Sequence, residues 1–311
     1  QNYVIRRLEP DDAVAVSRLM YRAYGGTYFN RDVYYPERIA ALNAHNSLVS
    51  FVAQGEDGGI AGHYALELNQ EGPVAECGQA VVDPAHRGRG LLDRLKEAAE
   101  QEAGRLNLAA LYSDAVAVHT LTQRSNVTHG HHLTGVDLGI SPKTEQFHNL
   151  SETQPQRVTC LMFFYWLRPP AKRTLYAPAR HRDILAEIYA KMACPVEFAD
   201  GSPSSGHGTL TIKVDAGAAF AVVRVEQPGA DSLQAVRRAK REIVERSHAE
   251  VVYVELPLEH PAAPLLADEL EADGFGFIGA APQFSSRGDV LRLAYLVEPL
   301  EREPIKTYDD F

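Results

Sequence analysis

At 311 residues, 45% of them apolar and 23% charged, the chain can bury the cores of two average domains and is too mixed for a disordered or fibrous protein. Its 41 acidic against 31 basic residues leave a net charge of −10, which disfavours nucleic acid as a partner, because neutralising phosphates needs a surplus of Lys and Arg. No apolar run approaches the roughly 20 residues of a membrane span, and three scattered cysteines, Cys77, Cys160 and Cys194, argue against disulfides or a thiolate metal site and for a cytoplasmic home. The start at Gln1 points to a trimmed chain, and Gln1-Asn2-Tyr3-Val4 lacks the blocks of a signal peptide.

In chain order, Tyr3 to Leu8 alternates like a strand, Asp11 or Asp12 caps a helix to about Tyr24, and a second helix runs near Pro36 to Asn43. Leu48 to Gln54 and Gly59 to Leu68 form a hairpin across Glu56-Asp57-Gly58, and Ala75 to Val82 is a third strand. A helix from about Gly90 to Leu106 puts Leu92, Leu95, Ala99 and Leu106 on one face, and Leu108 to Val118 returns as an apolar strand. Such a crossover implies parallel pairing. Thr120 to His129 reads as a short helix, Leu133 to Ile140 as a strand, Ser141 to Gln156 as a polar loop and Arg157 to Leu167 as a strand. Pro169-Pro170 marks a domain boundary, giving units 1–168 and 169–311.

The second half repeats this plan: helix Arg180 to Met192, strands Thr209 to Val214 and Ala218 to Val225, helix Ser232 to Arg246, strand Val251 to Leu256, helix Pro264 to Ala272, and strands Phe275 to Ala280 and Val290 to Val297. The basic run Arg237-Arg238-Ala239-Lys240-Arg241 falls among acids at helical spacing and reads as a solvated face.

The most informative segment is Val81-Val82-Asp83-Pro84-Ala85-His86-Arg87-Gly88-Arg89-Gly90-Leu91-Leu92, an apolar strand that stops at a proline and opens a helix through a basic, Gly-spaced turn. Alternate glycines let backbone amides approach a diphosphate, Arg87 and Arg89 add charge, and the helix start favours an anion, so a nucleotide-type cofactor is expected. The second half has no such turn; its equivalent reads Val225-Glu226-Gln227-Pro228-Gly229-Ala230. His119, His129, His131 and His132 lack a completing Cys or acid pair for a metal, and neither a Gly-x-Ser-x-Gly elbow nor a Gly-Lys-Ser/Thr loop is present.

The turn in its strand-turn-helix setting resembles the GNAT superfamily of acyl-CoA-dependent N-acyltransferases. Arg87 and Gly90 match its signature, and Leu92 stands where a Gly or Ala is usual. Leu270-Glu271-Ala272-Asp273-Gly274-Phe275 is similar to the Gly-Phe helix exit late in that fold. The resemblance implies a mixed α/β chain of tandem GNAT-like folds, each a twisted mixed sheet flanked by helices, the second degenerate. It implies acetyl-CoA or another acyl-CoA as co-substrate, held by the backbone of Ala80, Val81 and Val82 and by the turn Arg87, Gly88, Arg89, Gly90, Leu91 and Leu92, with Asn126 contacting the same arm. By the same resemblance Glu76 is the catalytic base, although a strand-edge Glu facing solvent fits its sequence position equally well. The family's Tyr acid is missing from Thr120 to His132, leaving His129, Ser125 and Thr122 as substitutes. Tyr28, Phe29, Tyr34 and Tyr35 fall where the family covers its acceptor, a small-molecule amine, and the second half would shape that site or a homodimer interface. The alternative function is a catalytically silent acyl-CoA sensor or assembly protein.

Overall fold

A computed structural model describes residues 2–68, 72–145 and 154–308; half of the expected polar loop Ser141 to Gln156 lies outside them. The first half runs β1 (Tyr3–Arg7), α1 (Ala13–Tyr24), α2 (Pro36–Ala44), β2 (Leu48–Gly55), β3 (Ile60–Leu68), β4 (Val74–Val82), α3 (Leu91–Arg105), β5 (Ala110–Val116), α4 (Leu121–Thr128), β6 (His132–Ser141) and β7 (Val158–Trp166). The second runs β8 (Arg173–Leu175), α5 (Arg182–Lys191), β9 (Val196–Phe198), β10 (Thr209–Asp215), β11 (Phe220–Gln227), α6 (Ser232–Ser247), β12 (Val251–Pro257), α7 (Ala263–Ala272), β13 (Gly276–Ser285) and β14 (Gly288–Leu296). The main departure from expectation is β8 and β9, a parallel pair of three-residue strands too short to show a period.

Among the described residues one 12-stranded sheet spans both halves, in the order β1-β2-β3-β4-β5-β7-β6-β13-β14-β12-β11-β10. Alternation along the strands sorts its two faces. Phe51, Ala75, Cys77 and Leu111 turn to Leu91, Leu95 and Ala99 of α3, while Val52 and Val81 turn to Val16, Leu19 and Met20 of α1. The β4–α3–β5 crossover is parallel, as is β11–α6–β12.

The registers of the halves coincide. Leu133 pairs with Phe163 and, after one bulged residue, Gly135 with Met162; Phe277 pairs with Leu293 and, after one bulged residue, Gly279 with Arg292. Gly135 and Gly279 then pair with each other at the joint of the sheet. Only glycines fit there: a Cβ on Gly279 (φ 128°) would meet the Gly135 backbone at 2.4 Å, and one on Gly135 would meet the Ile278 carbonyl at 2.9 Å.

Candidate active site

The glycine turn is built by its caps. The Asp83 carboxylate accepts from the Ala85 amide at 3.0 Å, fixing a short 3₁₀ turn over Pro84–His86, after which Gly88 (φ 73°) and Gly90 (φ 65°) take left-handed backbone. No heavy atom lies within 4 Å of where either Cβ would stand, so the turn is an open cradle. The first intrahelical bond here is Arg94 N–H to Gly90 O, which leaves the amides of Leu91, Leu92 and Asp93 without helical acceptors. Arg87 and Arg89 are exposed beside them. Leu92 packs on the α3 core with Ala80 and Val82 rather than filling the turn, so the departure from the usual small residue does not obstruct it.

Upstream, β4 pairs with β5 only from Val74 to Glu76, opposite Ala110 to Tyr112, whereas its pairing with β3 continues to Val82. Beyond Glu76 the two strands part, and the β4 edge through Ala80, Val81 and Val82 faces the gap. A bulge at Gln79 (φ 52°) turns this edge, and the Tyr24 hydroxyl donates to Ala80 O at 3.4 Å.

Glu76 stands at the fork on the face opposite α3, half-buried on a central strand rather than at a sheet edge. Tyr112 Oη donates to its Oε2 at 3.0 Å. Burial, then the neighbouring Glu67 charge, push its carboxyl up to about 8 against the opposing Tyr112 bond. Burial raises Glu67 too, although Gln79 Nε2 donates to it at 2.9 Å. Burial pushes Glu145 up to about 7, and burial with the Asp137 charge raises Asp114. The second half closes this face: Phe284 packs edge-on to Tyr112 at 4.7 Å, and Arg292 reaches across the joint to Asp137 and lies 3.6 Å from Glu255.

Of the aromatic residues, Tyr28 is buried between Tyr24 and Phe29, with ring centroids 4.7 and 4.8 Å away, while Phe29 and Tyr35 are exposed. Tyr34 Oη accepts from the Tyr28 amide at 2.9 Å. Burial raises Tyr24 and Tyr28, helped by the negative charge of Glu145, and both phenols stay protonated. Asn126 is buried under α3, where Lys96 Nζ donates to its Oδ1 at 2.7 Å and its Nδ2 lies 3.3 Å from Ser113 Oγ. His129 and His131 turn to Glu100, and no group of three metal-ligating side chains gathers among the described residues.

The sequence reading overlooked Glu67, Tyr112, Asp114, Glu145, Lys96 and Phe284. Lys96 alone left a local signal, an ammonium four residues after Leu92 on an apolar helix face. Asp12 also differs from expectation: its carboxylate takes Arg6 at 2.6 Å and the Glu9 amide at 2.8 Å and does not cap α1.

Residues 14–124 match the model of the acetyltransferase (GNAT) family. No curated protein matches the chain. Among solved structures it is similar to an N-acetyltransferase from Staphylococcus aureus Mu50, at 18% identity over 54% of this chain and 100% of that one, TM-score 0.43. It is similar also to the ribosomal-protein-S18-alanine N-acetyltransferase of Escherichia coli, at 16% over 53% and 94%, TM-score 0.42. A third is the paiA N-acetyltransferase of Thermoplasma acidophilum in complex with coenzyme A, at 12% over 53% and 99%, TM-score 0.40.

Proposed function

We propose that this chain, whose residues 14–124 belong to the acetyltransferase (GNAT) family, moves an acetyl or related acyl group from acyl-CoA to the amine of a small molecule. One observation carries the reading: a single strand, β4, parts from its neighbour at a carboxylate of raised pKa and runs its open edge straight into the glycine cradle. The cradle fits a diphosphate, with two left-handed glycines in open space, three helix-start amides and two exposed arginines. Acyl-CoA, when bound, supplies an activated carbonyl and a thiolate leaving group. Glu76 is the base: as the amine nitrogen bonds to the acyl carbon and the carbon–sulfur bond breaks, its carboxylate receives the proton the nitrogen sheds, and the bonding pair leaves on sulfur. Tyr24, at the end of α1 rather than on α4, is protonated and donates to the β4 edge at Ala80 O.

The second half, 169–311, is on this reading a degenerate copy. It supports the first site and holds no cofactor of its own, because β11 and β12 stay paired out to Arg224 and Glu255, with a 2.7 Å ion pair across the place where β4 and β5 part.

Calorimetric titration with acetyl-CoA, followed by thiol release over a panel of amines, tests the proposal. Charge reversal of Arg87 and Arg89 together should weaken acetyl-CoA at least about tenfold. Glu76→Gln should leave that affinity within about twofold and lower kcat by about 10²- to 10⁴-fold. Binding without release on any amine would favour a silent sensor.

A further inference from the structure

Resting on the acyltransfer reading, we infer that His63 is a positioning residue of the site, the pin that sets the bend of β4 between the base Glu76 and the diphosphate cradle. Between the register pairs Ala65–Gly78 and His63–Val81, β4 carries Gln79 and Ala80 against the single Tyr64 of β3. Gln79 takes the extra step in left-handed backbone, φ 52°, a conformation unfavourable for such a side chain and kept only where neighbours fix it. Two side chains grip this bulge. His63 Nδ1 lies 2.9 Å from Gln79 O and, since a carbonyl only accepts, Nδ1 carries the proton. The Tyr24 hydroxyl donates to the next carbonyl, Ala80 O, at 3.4 Å.

A histidine is not what packing asks for at this position. His63 is 0% exposed, and its register neighbours on β2 and β4, Val52 and Val81, pack on α1. Burial brings the ring down to about 4, so it stays neutral, and Nε2 has no hydrogen-bond partner among the described residues. A valine would fill the place without stranding a polar atom, so what the imidazole adds is its bond to Gln79. Gln79 is tied at its other end too: its Nε2 donates to Glu67 Oε1 at 2.9 Å, and Glu67 pairs in register with Glu76. A Cβ on Gly78 would lie 3.3 Å from Glu67 Oε1 and 3.8 Å from Glu76 Oε1, so both carboxylates border one gap. The main chain and side chain of Gln79 thus join the pin to the base, and the edge beyond, Ala80 to Val82, leads into the cradle. If Gln79 relaxes, a bound thioester and Glu76 lose their mutual placement, while the cradle, whose bonds involve neither His63 nor Gln79, still holds the diphosphate.

The test measures thiol release with acetyl-CoA over the amine panel, and acetyl-CoA affinity by calorimetry, for the full chain and for His63→Val and His63→Asn. His63→Val removes the donor and should lower kcat by about 10- to 10²-fold while leaving acetyl-CoA affinity within about threefold, the retained affinity showing that the variant folds. His63→Asn sets an amide N–H where Nδ1 stands and should recover kcat to within about threefold of the unaltered chain. An unchanged kcat in His63→Val, or His63→Asn no faster than His63→Val, would overturn the inference while leaving acyl transfer standing. The ring gives a second readout that needs no turnover. In nitrogen NMR of the histidine-labelled chain, the signal lost in His63→Val should be that of an Nδ1–H tautomer; an Nε2–H tautomer would remove the pin. Absence of release by the unaltered chain on any amine would instead sink the acyltransfer reading and the role resting on it, and the tautomer would still decide the bond.

Discussion

Glu76 and Glu145 hold their protons to about pH 8 and about pH 7, against about 4.3 for a free glutamate. Both groups bind protons more tightly folded than unfolded, so the stability they contribute is fully present below about pH 4.3 and is lost as pH rises through those folded values. Thermal unfolding followed from pH 5 to pH 9 should therefore show Tm falling. Glu145→Gln should flatten the fall up to about pH 7 and leave the part due to Glu76; an unchanged profile would contradict the burial of this carboxylate. On the proposed role of Glu76 as base, the same titration sets the rate profile: kcat/KM should rise with pH to a plateau above about 8 and lose that inflection in Glu76→Gln. At the turn, Gly90 has open space but a φ of 65°. Gly90→Ala should accordingly cost about 1 kcal/mol through backbone strain, not collision, and weaken acetyl-CoA with it.

At the level of elements, the crossover helix α3 is tied to α4 by one buried ammonium. Lys96 is 1% exposed, burial brings it down to about 8, and its Nζ holds Asn126. Lys96→Met keeps the apolar stem but leaves the Asn126 oxygen without its donor, a loss of about 1–3 kcal/mol readable in chemical denaturation. Every long strand and helix was legible because each carries its own period: the alternation of Tyr3 to Leu8, the apolar run of Arg157 to Leu167, the spaced leucines of α3. The glycine turn was legible for the same reason, being local. The cluster of acids was not, since Glu67, Glu76 and Asp114 come from β3, β4 and β5, and only strand register, Glu67 opposite Glu76, brings them together. Nor was the sheet joint, because Gly135 and Gly279 read in sequence as ordinary strand glycines until each is seen against the other's backbone.

For the whole molecule, the joint between β6 and β13 is held by two features without slack. Gly279→Ala would drive a Cβ into the Gly135 backbone and strain a φ of 128°, so it should lower Tm sharply or prevent folding. Arg292→Met, which places across the joint the residue found at the matching register position, Met162, should destabilise by about 3–5 kcal/mol, because Asp137 would lose its cationic partner while staying buried. Its acetyl-CoA affinity should survive, since the bonds that shape the cradle, Ala85 N–H to Asp83 and Arg94 N–H to Gly90 O, involve no residue of the joint. The closed seam between β11 and β12 has a further consequence for counting. If two matching folds were each competent, saturation would give two equivalents of nucleotide per chain, with room for one to influence the other. On the proposed reading, with the Arg224–Glu255 clasp shut, titration should give one equivalent per polypeptide on a hyperbolic isotherm, the second half acting as a permanent, covalently attached subunit that never takes a turn.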